Sequence, residues 1–400
     1  MPNPHLPPEI LDYILDLLRG RPETLKECCL VSKSWVPRTR KHLFAKIGLF
    51  SDEDLESWIK TFPDPPNSPT YHTHALIFRC PGAFVRTDLR VGGLIQTFPR
   101  VVRLELTIPE NLDRSEISLV PFHNFSPSIK SLHVCFVFLQ CPQVFDLIRS
   151  FPVLEDLALS GYSLLGNNPH GPQTDVLSAS PVFTGSLELT MPGGMENATR
   201  RLLDRPDSLR FQKFVFSWFH EKDLQWMTEL VARCFDTLEC LNVKCYPSCA
   251  FNLVPHRSCN LLSSVVDSGQ TSIDLSKATK LGDVVFGVKA LSVDWVTMTL
   301  KTVTSKHRNL QRISIHVPYD FTLVDACAHV GQTVREVISR PWLDLDRLLV
   351  QFWELRSIRP KVILAPKRWM GKQEVEYCVG CLLPEITKRG IINLIGYNES

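Results

Sequence analysis

One phrase recurs along most of this 400-residue chain and limits what it can fold into: an apolar residue, two others, an apolar residue, one other, an apolar residue. It reads Val101-x-x-Leu104-x-Leu106, then Ile129-x-x-Leu132-x-Val134 and Leu154-x-x-Leu157-x-Leu159. A shorter copy is Leu187-x-Leu189, followed by Phe211-x-x-Phe214-x-Phe216 and Leu238-x-x-Leu241-x-Val243. Later copies are Val288-x-x-Leu291-x-Val293, Leu310-x-x-Ile313-x-Ile315 and Leu345-x-x-Leu348-x-Val350. The closing alternation predicts a short strand with every second side chain turned inward. Helix-like stretches lie between copies, at Pro142–Ser150, Asp223–Phe235, His256–Val266 and Thr322–Ser339, with Asp223 placed to cap the second. The wide gap after Leu241 leaves room for a further unit near Ile273-Asp274-Leu275. Strand, loop and helix returning at an irregular interval, mostly of about 25–30 residues, predict units that bury their apolar faces only against neighbours. An irregular α/β domain with short apolar strands is the other architecture that satisfies the pattern.

The strand phrase resembles that of leucine-rich repeats, although the Asn expected a few residues past the last Leu is mostly absent. The resemblance implies a solenoid whose strands line a hollow face. Alternation then turns Arg103, Glu105, His133, Asp156, Glu188 and Lys213 toward the hollow. It does the same for Asn242, Lys244, Asp294, Arg312, His316 and Arg347. These twelve are the candidate substrate-binding residues. Their mixed charge suits a protein surface better than a phosphate chain. Arg312, His316 and Arg347 make one end positive, which predicts pairing with an acidic or phosphorylated segment.

The N-terminus follows a different rule. Residues 7–18 open on two prolines, which suit a helix start because the missing N–H has no partner there anyway. Ile10, Leu11, Ile14, Leu17 and Leu18 then recur at helical spacing. Gly20 ends this helix and a second runs from Glu23 to Val31. Ser32 is placed to cap a third, with Trp35, Leu43 and Phe44 apolar. Helices this short are unstable alone. Their apolar residues exceed what three of them can hide, so a remainder is left for a partner or for the rest of the chain.

Leu6-Pro7 with Glu9, the apolar helix, Val31-Ser32-x-x-Trp35 and the closing Phe44 are similar to the F-box family. The likeness covers about residues 5–46. The Arg19-Gly20-Arg21-Pro22 link is longer and more polar than usual, as in F-box families of mushroom-type fungi. What the resemblance implies is docking on a Skp-type adaptor, which joins a cullin and a RING subunit. Carried onto this chain, the adaptor-binding residues are Leu6, Pro7, Ile10, Leu11, Ile14, Leu30, Val31 and Trp35. Of these, Trp35 is the one best suited to an internal core.

The expected fold is therefore α+β: a small helical F-box over 1–46, a linker and N-terminal cap over 47–97, a leucine-rich-repeat-like solenoid over 98–360 and a C-terminal cap over 361–400. The implied function is substrate recognition in a Skp-cullin-F-box ubiquitin ligase. The alternative is an interaction scaffold without a ligase role. The linker region is expected to hold a helix from near Ser51 to Phe62, a broken loop at residues 63–69 and a strand at 74–78. The cap is expected to hold strands at 376–379 and 391–395.

Composition narrows the alternatives. Lys plus Arg is 44 against Asp plus Glu 42, a balance with no global pull toward nucleic acid or anionic membrane. Residues 1–20 lack the apolar run of a signal peptide, so a cytoplasmic or nuclear location is expected, with 13 cysteines as reduced thiols. Cys245, Cys249, His256 and Cys259 cluster, but their spacing does not reproduce a paired zinc knuckle. Cys378 and Cys381 form a C-x-x-C pair outside a helix-start context. No hydrolase, zincin or phosphate-loop motif occurs. The expectation is a non-enzyme without cofactor or metal.

Overall fold

The computed structural model describes residues 7–62, 69–79, 81–85, 93–95, 97–108, 112, 117–125, 128–136, 141–161, 182–190, 195–204, 208–217, 223–244, 272–287, 293–317, 332–354, 361–366, 376 and 379–394. The chain divides into two compact units, residues 1–160 with 164–181 and residues 161–163 with 182–400.

The first unit opens with three helices, α1 (Pro8–Leu17), α2 (Pro22–Val31) and α3 (Val36–Leu43). All three carry a proline in their first two positions. Leu15, Leu25 and Cys28 form their buried centre, with Leu18, Trp35 and Leu43 packed against it. Asp16 ties α1 to α3, accepting from Arg38 Nε at 2.9 Å and standing 2.7 Å from His42 Nε2. Ser32 does not cap α3. It ends α2 in extended backbone, its Oγ 2.8 Å from Ser34 Oγ, and Trp35 takes the cap position.

The expected linker helix is present as α4 (Asp52–Thr61), where Ser51 Oγ accepts from the Asp54 N–H at 3.2 Å. Around it and beyond lie β1 (Lys46–Leu49), β2 (Ala75–Phe78), β3 (Arg103–Thr107), β4 (Ser131–Phe136), α5 (Cys141–Arg149) and β5 (Asp156–Gly161). The second unit holds β6 (Ser186–Thr190), α6 (Met195–Leu203), β7 (Lys213–Ser217), α7 (Leu224–Arg233) and β8 (Cys240–Lys244). It continues with β9 (Asp283–Gly287), α8 (Asp294–Lys301), β10 (Arg312–Val317), α9 (Gln332–Glu354), β11 (Lys361–Pro366), α10 (Pro384–Lys388) and β12 (Ile392–Leu394). Asp223 stands at the α7 cap position without a side-chain cap bond.

Strands β1 to β4 of the first unit, where β5 is the next neighbour of β4, and β6 to β12 of the second unit pair, parallel, in chain order. Parallel neighbours require a return path of a dozen or more residues, which the intervening helices and turns supply. In neither unit does the strand order reverse, so neither has the switch-point crevice of a doubly wound sheet.

The apolar phrase explains the core. Leu104, Leu106, Leu132, Val134, Leu157, Leu159, Leu187, Leu189, Phe214, Phe216, Leu241 and Val243 are fully buried. The first phrase residues Val101, Ile129, Leu154, Phe211 and Leu238 are buried beneath the turns that enter the strands. Most alternate strand positions are half-buried or exposed, as in β3 and β4, while Ile77, Ser217 and Ser314 are buried. A parallel sheet covered on both faces reads as a continuous apolar run instead.

A second repeat is visible in the backbone. At most strand entries two successive N–H groups share one carbonyl of the preceding entry: Val102 and Arg103 on His74, Lys130 and Ser131 on Val102, Glu155 and Asp156 on Lys130. The pattern resumes with Glu239 and Cys240 on Gln212, Gly282 and Asp283 on Glu239, Gln311 and Arg312 on Gly282. Two hydroxyls reinforce it, Ser128 donating to the Val101 carbonyl at 2.8 Å and Thr237 to that of Phe211 at 3.0 Å.

Four expectations are corrected. Residues 288–292 of the copy expected at 288–293 lie outside the described residues, and a strand that was not expected is Asp283–Gly287, where Leu281-x-x-Val284-x-Phe286 carries the phrase, all three fully buried. Asp294 instead opens α8, whose Trp295, Val296 and Leu300 are buried. The copy at Leu345–Val350 lies inside the 23-residue α9. There Trp342, Leu345, Leu349 and Phe352 form a buried stripe of period near 3.6, and the phrase cannot distinguish that spacing from a strand. Arg347 is accordingly a helical residue. Ile273 and Leu275 are buried, but their backbone is not a strand. Glu376 and residues 379–382 are helical where a strand was expected. The parallel pairing also runs past residue 360 through β11, which sequence reading missed.

Candidate protein-interaction surfaces

Two surfaces gather the sequence candidates, one in each type of structure. The first is on α1 and α2. Ile10 is 47 % exposed, Tyr13 63 %, Ile14 41 % and Leu17 66 %, one stripe at i, i+3, i+4 and i+7. At the last turn of α2, Leu30 is 88 % and Val31 67 % exposed. Surface apolar residues are normal singly, whereas a contiguous set on one element marks an interaction site.

Of the eight expected adaptor contacts, Pro7, Ile10, Ile14, Leu30 and Val31 are exposed and Leu11 is half-buried. Trp35 packs into the internal centre. Leu6 lies outside the described residues. Tyr13 and Leu17 were not among the eight. Leu17 was visible in the helical stripe, and Tyr13 follows Ile10 by three residues on the same face.

The second surface is the polar side of the strands. In the first unit Arg103 pairs in register with Ser131 and Glu105 with His133. Glu105 accepts from Arg79 Nη2 at 3.4 Å, and His133 Nε2 lies 3.0 Å from Ser160 Oγ. Asp156 begins β5 on the same alternation, half-buried.

In the second unit, strand register builds three cross-strand rows. Ser186, Lys213, Cys240, Asp283 and Arg312 make the first. Glu188, Val215, Asn242, Val285 and Ser314 make the next, and Thr190, Ser217, Lys244, Gly287 and His316 the third.

 Ten of the twelve expected substrate contacts stand on strands, and the remaining two, Asp294 and Arg347, are the helical residues corrected above. Asp283 and Gly287 belong to this face and were missed, because the phrase at Leu281, Val284 and Phe286 was not recognised as a strand.

The charges on the face are partly spent. Arg312 grips Asp283 with two hydrogen bonds, Nε to Oδ1 at 3.0 Å and Nη2 to Oδ2 at 2.8 Å. Arg347, on α9, pairs with Asp344 at 3.1 Å. Burial, reinforced by the Lys244 charge, lowers the His316 pKa, so its imidazole is neutral at neutral pH. Burial raises the Cys240 thiol and pushes Cys234 up to about 11, which keeps both protonated and unreactive.

Cys28, Cys29, Cys135, Cys234, Cys240 and Cys381 are free thiols. The Cys245, Cys249, His256 and Cys259 cluster and Cys378 lie outside the described residues. Among the described residues no three His, Cys, Asp or Glu side chains are placed to hold a metal ion. Among them, too, no helix is long and apolar enough to cross a membrane. Comparison with known families finds no family model that matches the chain, and comparison with curated proteins finds no match.

Proposed function

We propose that this chain is the substrate-recognition subunit of a Skp-cullin-F-box ubiquitin ligase. The N-terminal helices dock on a Skp-type adaptor, and the strand array is a leucine-rich-repeat-like solenoid that presents its polar side to a protein substrate. The observation that carries the reading is the apolar stripe Ile10, Tyr13, Ile14 and Leu17 with Leu30 and Val31, left in water by helices too short to bury it. Interface energy concentrates in such aliphatic and aromatic anchors once a partner removes them from water. The likeness of residues 5–46 to the F-box supplies the class of partner. Support for the solenoid is the chain-order pairing of parallel strands with one buried and one polar side.

The test is co-expression with a Skp-type adaptor and cullin. The chain is expected to co-elute with both, and Leu17→Asp with Leu30→Asp is expected to abolish the complex. Retention of the adaptor by the doubly substituted chain would contradict the proposal.

A further inference from the structure

We propose that the polar strand face of the second unit binds an extended polypeptide segment bearing a carboxylate side chain, with the Asn242 amide gripping its backbone and Lys244 its charge. The inference rests on the substrate-recognition reading for its biological role, and on the face alone for its chemistry.

Asn242 lies in the middle row, and its register partners Val215 and Val285 offer it no polar side chain. Its Oδ1 is shut off from solvent and has no hydrogen-bond partner among the described residues. Leaving such an acceptor unpaired costs about 1–3 kcal/mol. Turning the amide over only exchanges which end is orphaned. A primary amide carries both an acceptor and donors, the complement of one peptide unit's N–H and C=O. The terminal torsion of Asn is soft, so the amide can swing to meet a segment laid along the face. Main-chain hydrogen bonds of this kind bind extended segments without regard to sequence, leaving specificity to neighbouring side chains.

The neighbour that sets specificity is Lys244, two residues on and on the same side of β8. Across the row from it come Gly287 and then His316. A Cβ at position 287 would stand 3.1 Å from Lys244 Cα and 3.2 Å from its Cβ and Cγ. The glycine therefore leaves the space that the Lys244 stem borders, between two strands about 10 Å apart. Lys244 makes no ion pair among the described residues.

The charge class follows from what is already occupied. Arg312 is the one arginine on the strands of the second unit, and Asp283 holds its guanidinium at both nitrogens. The planar fork that suits phosphate is thus taken. What is left are two ammonium groups, Lys213 in the first row and Lys244 in the third, and Lys244, beside His316 and on the strand of Asn242, is the one placed to match a carboxylate of a segment held there.

The experiment is selection of a randomised twelve-residue peptide library on the full chain held by its adaptor, followed by fluorescence anisotropy of the enriched peptides. Enriched peptides are expected to share an Asp or Glu position. Changing that residue to Gln is expected to weaken binding about tenfold or more, as are Lys244→Met and Asn242→Leu in the protein. Lys301→Met, on α8 and away from the face, serves as the control and is expected to change nothing. Circular dichroism of each variant separates lost binding from lost fold. Enrichment of no peptide, enrichment without an acidic position, or equal binding to Lys244→Met overturns the inference. So does a selected peptide that binds only when phosphoserine replaces its acidic residue. Adaptor capture is read in the same samples: its failure removes the ligase role, whereas failure of peptide binding with the adaptor retained removes this inference alone.

Discussion

The strand array and the N-terminal helices treat the same kind of residue in opposite ways. In the array the inward phrase residues, Leu132 and Val134 or Phe214 and Phe216, are at most 1 % exposed. In α1 and α2, Leu17 and Leu30 remain 66 % and 88 % exposed although they are equally apolar. The difference is one of size. A strand in the array is buried by the elements before and after it, so every unit gains from its neighbours. Three short helices enclose only a small centre, Leu15, Leu25 and Cys28, and leave the rest outside. The array meets its need for burial internally, and under the proposed function the helices meet theirs with the adaptor.

The comparison breaks most visibly under truncation of the core. Phe214→Ala is expected to destabilise the second unit by about 3–5 kcal/mol, read as a shift in the urea midpoint. Leu17→Ala, on the exposed stripe, is expected to stay within about 0.5 kcal/mol by the same measurement. Equal effects at the two sites would erase the distinction.

Removal of the Thr237 hydroxyl sharpens the account of how successive units are joined. Thr237→Val deletes the bond to the Phe211 carbonyl and is expected to destabilise by about 1 kcal/mol. A variant as stable as the parent shows that the backbone pattern alone joins those units.

The pH response tests the helices separately. Hydrogen bonds from Arg38, and secondarily from His42, hold the Asp16 carboxyl below its ordinary value of 3.8. A depressed carboxyl stabilises the fold above its unfolded value and loses that contribution as the pH falls through the lowered one. Amide protection in α1 and α3 is therefore expected to decline in acid below the ordinary carboxyl range, by a small amount because the group is exposed. Asp16→Asn is expected to flatten that part of the profile. An unchanged profile in this variant shows that Asp16 does not link the two helices.

Much of the array was legible because a residue at the first, fourth and sixth positions of a unit has one physical use in a strand. Val101, Leu104 and Leu106 show this, as do Leu238, Leu241 and Val243. The same phrase misled at Leu345, where a helix of period near 3.6 also buries positions three apart. It was also not recognised at Leu281, Val284 and Phe286, a copy as good as the others that forms β9. That slip hid Asp283 and Gly287, and with them the fact that Arg312 is already paired. On the helices the spacing marked an apolar stripe correctly. It did not separate Leu15, which is buried, from Leu17, which is not, because that depends on where α2 and α3 pack.

The most direct measurement is adaptor capture by the full chain, wild type against Leu17→Asp with Leu30→Asp, with thermal unfolding recorded on both. The account predicts at least a hundredfold loss of adaptor affinity with the unfolding midpoint unchanged, since two anchors are each worth about 1.5–3 kcal/mol when buried. Adaptor affinity that survives both charges, or a fold that collapses with them, would contradict it.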